Sequence, residues 1–253
     1  MIGKRLLEEL ELDSVARLYR LVAAPTPALT ADRAPEDVMR TGDASAVHVV
    51  REARGVAVAD GAARDRVSAM DWDQLEAAVR ACVACGLCKQ RKQAVFGVGH
   101  RAAPWLFVGE GPGAEEDAQG EPFVGQAGRL LDGMLAAIGL ARGREVYIAN
   151  VVKCRPPGNR TPTPEEATAC AAFLDRQIEL IRPRLIVAMG KTAAQRFLAT
   201  DASLGSLRGR LHRYRDTPLV VTYHPAYLLR TLPDKAKAWE DLLYARRVLR
   251  GLS

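Results

Sequence analysis

Residues 105–128 read WLFVGEGPGAEEDAQGEPFVGQAG: a short apolar run, a glycine-rich turn, a group of carboxylates and one isolated phenylalanine. The opening WLFVGE (105–110) has the length and bounding glycine of a buried strand. Three more runs share that character: VYIANVV (146–152), LIVAMG (185–190) and PLVVTYH (218–224). Helical patterns separate or follow them, in AGRLLDGMLAAIGL, TPEEATACAAFLDRQIELI, KTAAQRFLAT and DKAKAWEDLLYARRVLRGL. This alternation predicts an α/β fold, a three-layer α/β/α sandwich around a central four-stranded parallel sheet. In such sheets the loops beyond the strands' C-terminal ends form the binding crevice. Glu110 after the first strand, Asn150 near the end of the second and His224 at the end of the fourth all fall there.

Composition narrows the class. The chain has 253 residues, 48% hydrophobic and 26% charged, which suits a globular core with an appendage. No apolar run approaches the roughly 18–20 residues of a membrane span, and the acid-interrupted start MIGKRLLEELELDSVARLYRLV does not read as a signal peptide. A cytoplasmic location is expected, with no membrane partner. The net charge is +6, and its positive excess lies beyond residue 70, as in proteins that bind polyanions. Residues 5–22 have helical periodicity, AAPTPALTADRAP reads as a linker, and 36–70 show little pattern. Residues 1–70 therefore read as a partly helical, poorly ordered extension or a partner-docking segment. Order is expected from MDWDQLEAAVRACVAC, capped by Asp71 or Asp73, so that 71–253 forms the main domain.

Several motifs test nucleotide chemistry and fail. GKT at 190–192 would need a glycine at 185 for a phosphate loop, and Leu185 stands there. Gly109, Gly111 and Gly113 permit close backbone approach, but no helix is expected directly behind them, so a dinucleotide fingerprint is rejected. Five cysteines remain. Cys82 and Cys85 are spaced C-x2-C, while Cys154 and Cys170 lie far along the chain with no second tight pair. Thiolates drawn from two distant segments suit a [4Fe–4S] cluster better than a zinc module, with Cys88 spare or an alternative ligand. Phe123, in EPFVG, reads as a stacking surface or as core. YHPAYLLR (223–230) sets His224 before a proline-fixed turn, followed by an apolar wedge, Tyr227-Leu228-Leu229, that ends in Arg230.

In this order, GEGPGAEEDAQGEPFVGQAG, NVVKCRPPGNRTPTPEE with Cys154 and the following Cys170, and YHPAYLLR resemble the family 4 uracil-DNA glycosylases, the iron–sulfur branch of their superfamily. The resemblance covers about residues 72–250. It implies that uracil is flipped out of DNA, single- or double-stranded, and released by hydrolysis as the first step of base excision repair. Phe123 would stack on the base, Asn150 would read its edge, and the backbone at Gly111 would approach it closely. His224 would stabilise the leaving uracil anion, and Glu110 or Glu116 would stabilise the sugar cation or position water. Gly111 stands where the better-known branch carries a water-activating aspartate, which leaves Glu110 as the preferred base. The wedge and Arg230 would enter the DNA. Arg155, Arg160 and the SLRGRLHRYR arm (Arg208, Arg210, Arg213, Arg215) would contact phosphates. Cys82, Cys85, Cys154 and Cys170 would hold the [4Fe–4S] cluster, and the protein would act as a monomer. Two other readings are an iron–sulfur DNA-binding or electron-transfer protein without glycosylase activity, and a relative that traps its abasic product through a histidine loop absent from this sequence.

Overall fold

The computed structural model describes residues 61–252, so the helix expected over 5–22 and the linker after it lie outside the described residues. Helices α1 (Gly61–Ser68) and α2 (Trp72–Ala81) come first, then strands β1 (Val98–Gly99) and β2 (Trp105–Gly109). Helices α3 (Ala114–Gln119) and α4 (Gln126–Ala137) lead to β3 (Val146–Asn150) and α5 (Pro164–Ile181). Next come β4 (Leu185–Met189), α6 (Lys191–Leu198), α7 (Leu204–Leu207), β5 (Leu211–Tyr214) and β6 (Thr217–Thr222). Helices α8 (Pro225–Leu228) and α9 (Asp234–Gly251) close the chain. No helix among the described residues is long and apolar enough to cross a membrane.

The sheet order is β1-β3-β2-β4-β6-β5, and the four central strands are parallel, with Gly109 of β2 level with Asn150 of β3. Alternate residues of each central strand enter different cores. Leu106, Val108, Ile186, Ala188, Leu219 and Val221 pack under α2, α5 and α6. Trp105, Phe107, Ile148, Val187 and Val220 pack under α4 and α9. Burial on both faces is why these strands read as unbroken apolar runs rather than as polar–apolar alternation. The expected three-layer α/β/α sandwich is present.

Local signals set the helix ends. Asp71, not Asp73, caps α2: the Gln74 N–H donates to Asp71 Oδ1 at 2.9 Å, and the Asp71 N–H donates to Gln74 Oε1 at 3.0 Å. Thr163 and Glu166 make the same reciprocal pair before α5, with Pro164 at its first turn. Packing also begins ahead of residue 71, because Val67 of α1 joins the first core and Arg176 Nε donates to the Met70 carbonyl at 2.7 Å.

Two edge strands escaped the sequence reading. Strand β1 is two residues long, and β5 carries an exposed-and-half-buried pattern; both pair antiparallel to the sheet. The presumed phosphate-binding arm is therefore α7 followed by β5. Arg208 Nε donates to Asp241 Oδ2 at 2.6 Å, and Arg208 lies over the Tyr223 ring at 4.5 Å. Arg215 pairs with Glu179 at 2.9 Å, and Arg213 donates to the Asp216 carbonyl. Arg208 is thus a partner of the fold before it is a partner of any phosphate. Arg208→Ala leaves the Asp241 carboxylate buried and unpaired, and should cost about 3–5 kcal/mol in urea denaturation without DNA. Arg210→Ala, at an exposed position, should leave stability within about 0.5 kcal/mol of the parent.

Candidate active site

The crevice opens at the C-terminal ends of β2, β3, β4 and β6, where the sequence had placed its informative residues. Gly109 ends β2 because nothing larger fits: a Cβ there would lie 2.6 Å from Asn150 Oδ1 and 2.6 Å from Phe123 Cζ. Asn150 is 2% exposed, and its Oδ1 is buried with no hydrogen-bond partner among the described residues. A buried acceptor left orphaned is costly, and at a crevice floor it marks a place for a donor from outside.

Phe123 covers that floor from a backbone few phenylalanines adopt, with φ at 57°, in the left-handed region. Two features hold it there. Arg142 donates to the carbonyls of Pro122 (2.8 Å) and Phe123 (2.7 Å) while pairing with Glu121 and Asp132. Gly128 lets the Phe123 carbonyl sit against α4, since a Cβ would lie 1.8 Å from that oxygen. The ring stands 5.5 Å, centroid to centroid, from the His224 imidazole.

The two candidate glutamates have different partners. Glu116 accepts three backbone N–H bonds, from Gly113 (3.0 Å), Val124 (3.0 Å) and Gly125 (3.1 Å). Its carboxylate thus serves the N-termini of both α3 and α4, where negative charge is favoured. Glu110, directly after β2, accepts from Thr192 Oγ1 and from no other group among the described residues. A helix does begin directly behind Gly113, against the expectation from sequence. That helix end is already taken by Glu116, with Glu115 and Asp117 in the same turn, so phosphate is still disfavoured. Gly111 packs close, where a Cβ would lie 2.8 Å from Val152 Cγ2.

His224 is the N-cap of α8 and not the last residue of a strand. Its Nδ1 accepts the Ala226 N–H at 3.2 Å. A backbone N–H can only donate, so the ring proton sits on Nε2, which has no hydrogen bond among the described residues. Burial, helped by the positive charge of Arg230, depresses its pKa from 6.5 to about 4, so the ring is neutral near pH 7. Gly190, with φ at 91°, leaves room for it: a Cβ there would lie 3.0 Å from His224 Cβ. The GKT triplet dismissed as a phosphate loop thus supplies Gly190 beside His224 and Thr192 beside Glu110. Sequence reasoning missed both, and Arg142, because their importance lies only in what they touch.

The apolar wedge is divided. Leu228 is 1% exposed and belongs to the interior, whereas Leu229 is 39% and Leu232 59% exposed. Tyr227 stacks on Tyr223 at 5.1 Å and donates to Asp234 at 2.6 Å, while Arg230 is exposed. Leu229 and Leu232 therefore form the protruding tip, on a base stiffened by the tyrosine pair. Arg155 is half-buried and Arg160 exposed, bonded to Asn159 (2.7 Å) and Glu166 (2.7 Å) respectively. A cavity of about 690 Å³ lies elsewhere, between α5 and α6, and its lining includes Thr192 and, from the arginine-rich arm, Arg215.

Cys82, Cys85, Cys154 and Cys170 line one small cavity, and Cys88 does not. N–H groups point at three of these sulfurs: Ala84 to Cys82 (3.5 Å), Lys153 to Cys170 (3.3 Å), and Arg91 Nη1 to Cys154 (2.9 Å). Burial raises the thiols of Cys85 and Cys154 and takes that of Cys170 to about 12. Among the described residues no three His, Cys, Asp or Glu side chains converge on a single ion. The four cysteines around this cavity match in number what a [4Fe–4S] cube takes, one thiolate at each of four irons.

A model of the Uracil DNA glycosylase superfamily matches residues 96–243. The type-4 uracil-DNA glycosylase of Thermotoga maritima is 45% identical over 176 residues, covering 68% of this chain and 91% of the relative. That of Archaeoglobus fulgidus is 44% identical over 165 residues, covering 62% and 82%. That of Pyrobaculum aerophilum is 41% identical over 181 residues, covering 68% and 92%.

The His224 shift has a consequence for stability. Its folded-state pKa is below the unfolded value, so the linked stability is complete above about pH 6.5 and falls as pH drops toward about 4. The loss should reach about 3 kcal/mol. In urea titrations between about pH 7 and 4, wild type should lose this much more than His224→Gln; parallel losses in the two proteins would refute the depressed pKa.

Proposed function

The chain belongs to the uracil-DNA glycosylase superfamily and to its type-4 family, and we propose that it hydrolyses the N-glycosidic bond of deoxyuridine in DNA, releasing uracil and leaving an abasic site. The observation that carries this reading is the orphaned Asn150 Oδ1, buried beside the Phe123 ring. Uracil presents an N3–H donor and an O4 acceptor side by side. The Asn150 amide offers the complement, Oδ1 to N3–H and its NH2 to O4. Cytosine reverses that pattern at the same edge and would leave both groups unpaired.

The chain's residues then divide the reaction. The base must leave the stack, and the Leu229–Leu232 tip supplies apolar surface to offset the few kcal/mol of unstacking. Phe123, locked by Arg142 and Gly128, gives the flipped ring a fixed plane. As the C1′–N1 bond breaks, negative charge gathers on uracil O2, and the Nε2–H of neutral His224 donates to it. A neutral donor of this kind spares the site a buried imidazolium in the ground state, and one such donor contributes about 3 kcal/mol. Glu110, oriented by Thr192, faces the sugar cation and the incoming water. Glu116 has committed its carboxylate to three backbone N–H groups, so it positions the loops and leaves the water to Glu110.

A [4Fe–4S] cluster held by Cys82, Cys85, Cys154 and Cys170 completes the reading. When bound, it ties the end of α2 to the loop after β3, a structural service, since hydrolysis requires no electrons. Arg155 and Arg160 stand on that same loop, where a rigid backbone would present them to phosphate.

Incubation with a uracil-containing oligonucleotide followed by alkali should give strand breaks at uracil. His224→Ala should slow cleavage about 10²–10³-fold. Glu110→Gln should lower the single-turnover rate at unchanged stability, whereas Glu116→Gln should lose stability first; the opposite result would exchange their roles. Cys154→Ala should lose the brown chromophore and thermal stability, while Cys88→Ala should keep both. A colourless wild type of equal stability and activity would remove the cluster.

A further inference from the structure

Lys153 has no place in the chemistry described above, yet it is 1% exposed. Its Nζ donates to the Asn150 carbonyl at 3.1 Å and to Gln177 Oε1 at 2.6 Å. Gln177 is itself buried and donates to the Phe96 carbonyl at 3.0 Å, so it is held in place for this contact. Both acceptors of the ammonium are neutral. A buried ammonium with only neutral partners is an expensive arrangement, and proteins seldom keep one without an opposite charge nearby.

The four-cysteine cavity offers a location for that charge. Lys153 lines the four-cysteine cavity, its own N–H donates to Cys170 Sγ, and Cys154 follows it in the chain. Arg91 Nη1 donates to Cys154 Sγ at 2.9 Å. A tetrathiolate [4Fe–4S] cluster with a doubly positive core carries two net negative charges, and Lys153 and Arg91 supply two positive ones. The same ammonium grips the carbonyl of Asn150, whose side chain forms the crevice floor.

We propose that Lys153 is the internal counter-cation of the cluster, and that it couples the cluster to the backbone position of Asn150. This rests on the cluster assignment made above. Lys153 is a positioning residue and touches no substrate atom. Its effects should be read in the cluster's own properties, because net charge nearby sets a cluster's reduction potential.

The test uses the full chain, purified without oxygen, with Lys153→Met and Lys153→Gln compared to wild type. Lys153→Gln keeps a polar head for the Asn150 and Gln177 contacts, and so preserves a readout where methionine fails to fold. Protein-film voltammetry should show the variants' clusters at lower potential, since uncompensated negative charge opposes adding an electron. Iron release to a chelator should be several-fold faster, and the uracil-oligonucleotide KM should rise more than kcat falls. A wild-type cluster whose potential and iron retention are unchanged in Lys153→Gln overturns the proposal alone. A wild-type chain that carries no iron overturns the cluster assignment, and this proposal with it.

Discussion

The carboxylate of Glu116 holds the crevice in shape. It binds the N–H groups of Gly113, Val124 and Gly125, and so draws the starts of two helices onto one point. Between those starts the chain must turn back on itself, and the turn places Phe123 over the end of β2. Without that tie, three backbone donors in a half-buried loop would be unsatisfied, and the left-handed phenylalanine would have no support on that side. Arg142 supplies the counterpart from outside, holding the carbonyls of the same loop. The loop is thus fixed through its N–H groups by an anion and through its C=O groups by a cation.

Charge is handled differently on the two sides of β3. In the crevice, burial keeps His224 neutral and the Ala226 N–H fixes its tautomer, so Nε2 carries the ring's one proton. Behind β3, Lys153 is buried, and its backbone N–H donates to Cys170 Sγ. The strand end at Asn150 lies between the two environments, its side chain toward one and its carbonyl toward the other. In the proposed role of Asn150 this matters, because an amide whose backbone drifted by a fraction of an ångström would read hydrogen-bond patterns less sharply.

Much of this was legible in order of residues. The four central strands, the helices between them, and the positions of Glu110, Asn150 and His224 beyond strand ends follow from apolar runs punctuated by glycine. Edge strands β1 and β5 were not legible, since two residues carry no periodicity and a half-exposed edge has no continuous apolar run. The arginine-rich arm misled for a related reason: in sequence a cation looks free until its carboxylate, here Asp241 some thirty residues away, is brought beside it. Leu228 and Leu229 are neighbours of like chemistry, and only the turn of α8 decides which one is buried.

Residue identity by itself determined the fold class, the crevice at the strand ends and the kind of chemistry the crevice residues permit, because each depends on local pattern and on functional groups the chain carries. Tertiary structure alone decided the partnerships: which glutamate is bound to backbone and which to a threonine hydroxyl, which nitrogen of His224 bears the proton, and which cysteines share a cavity. Those are questions of partnership. A side chain's hydrogen-bonding capacity is finite, and what remains of it for substrate is known only once folding has assigned the rest.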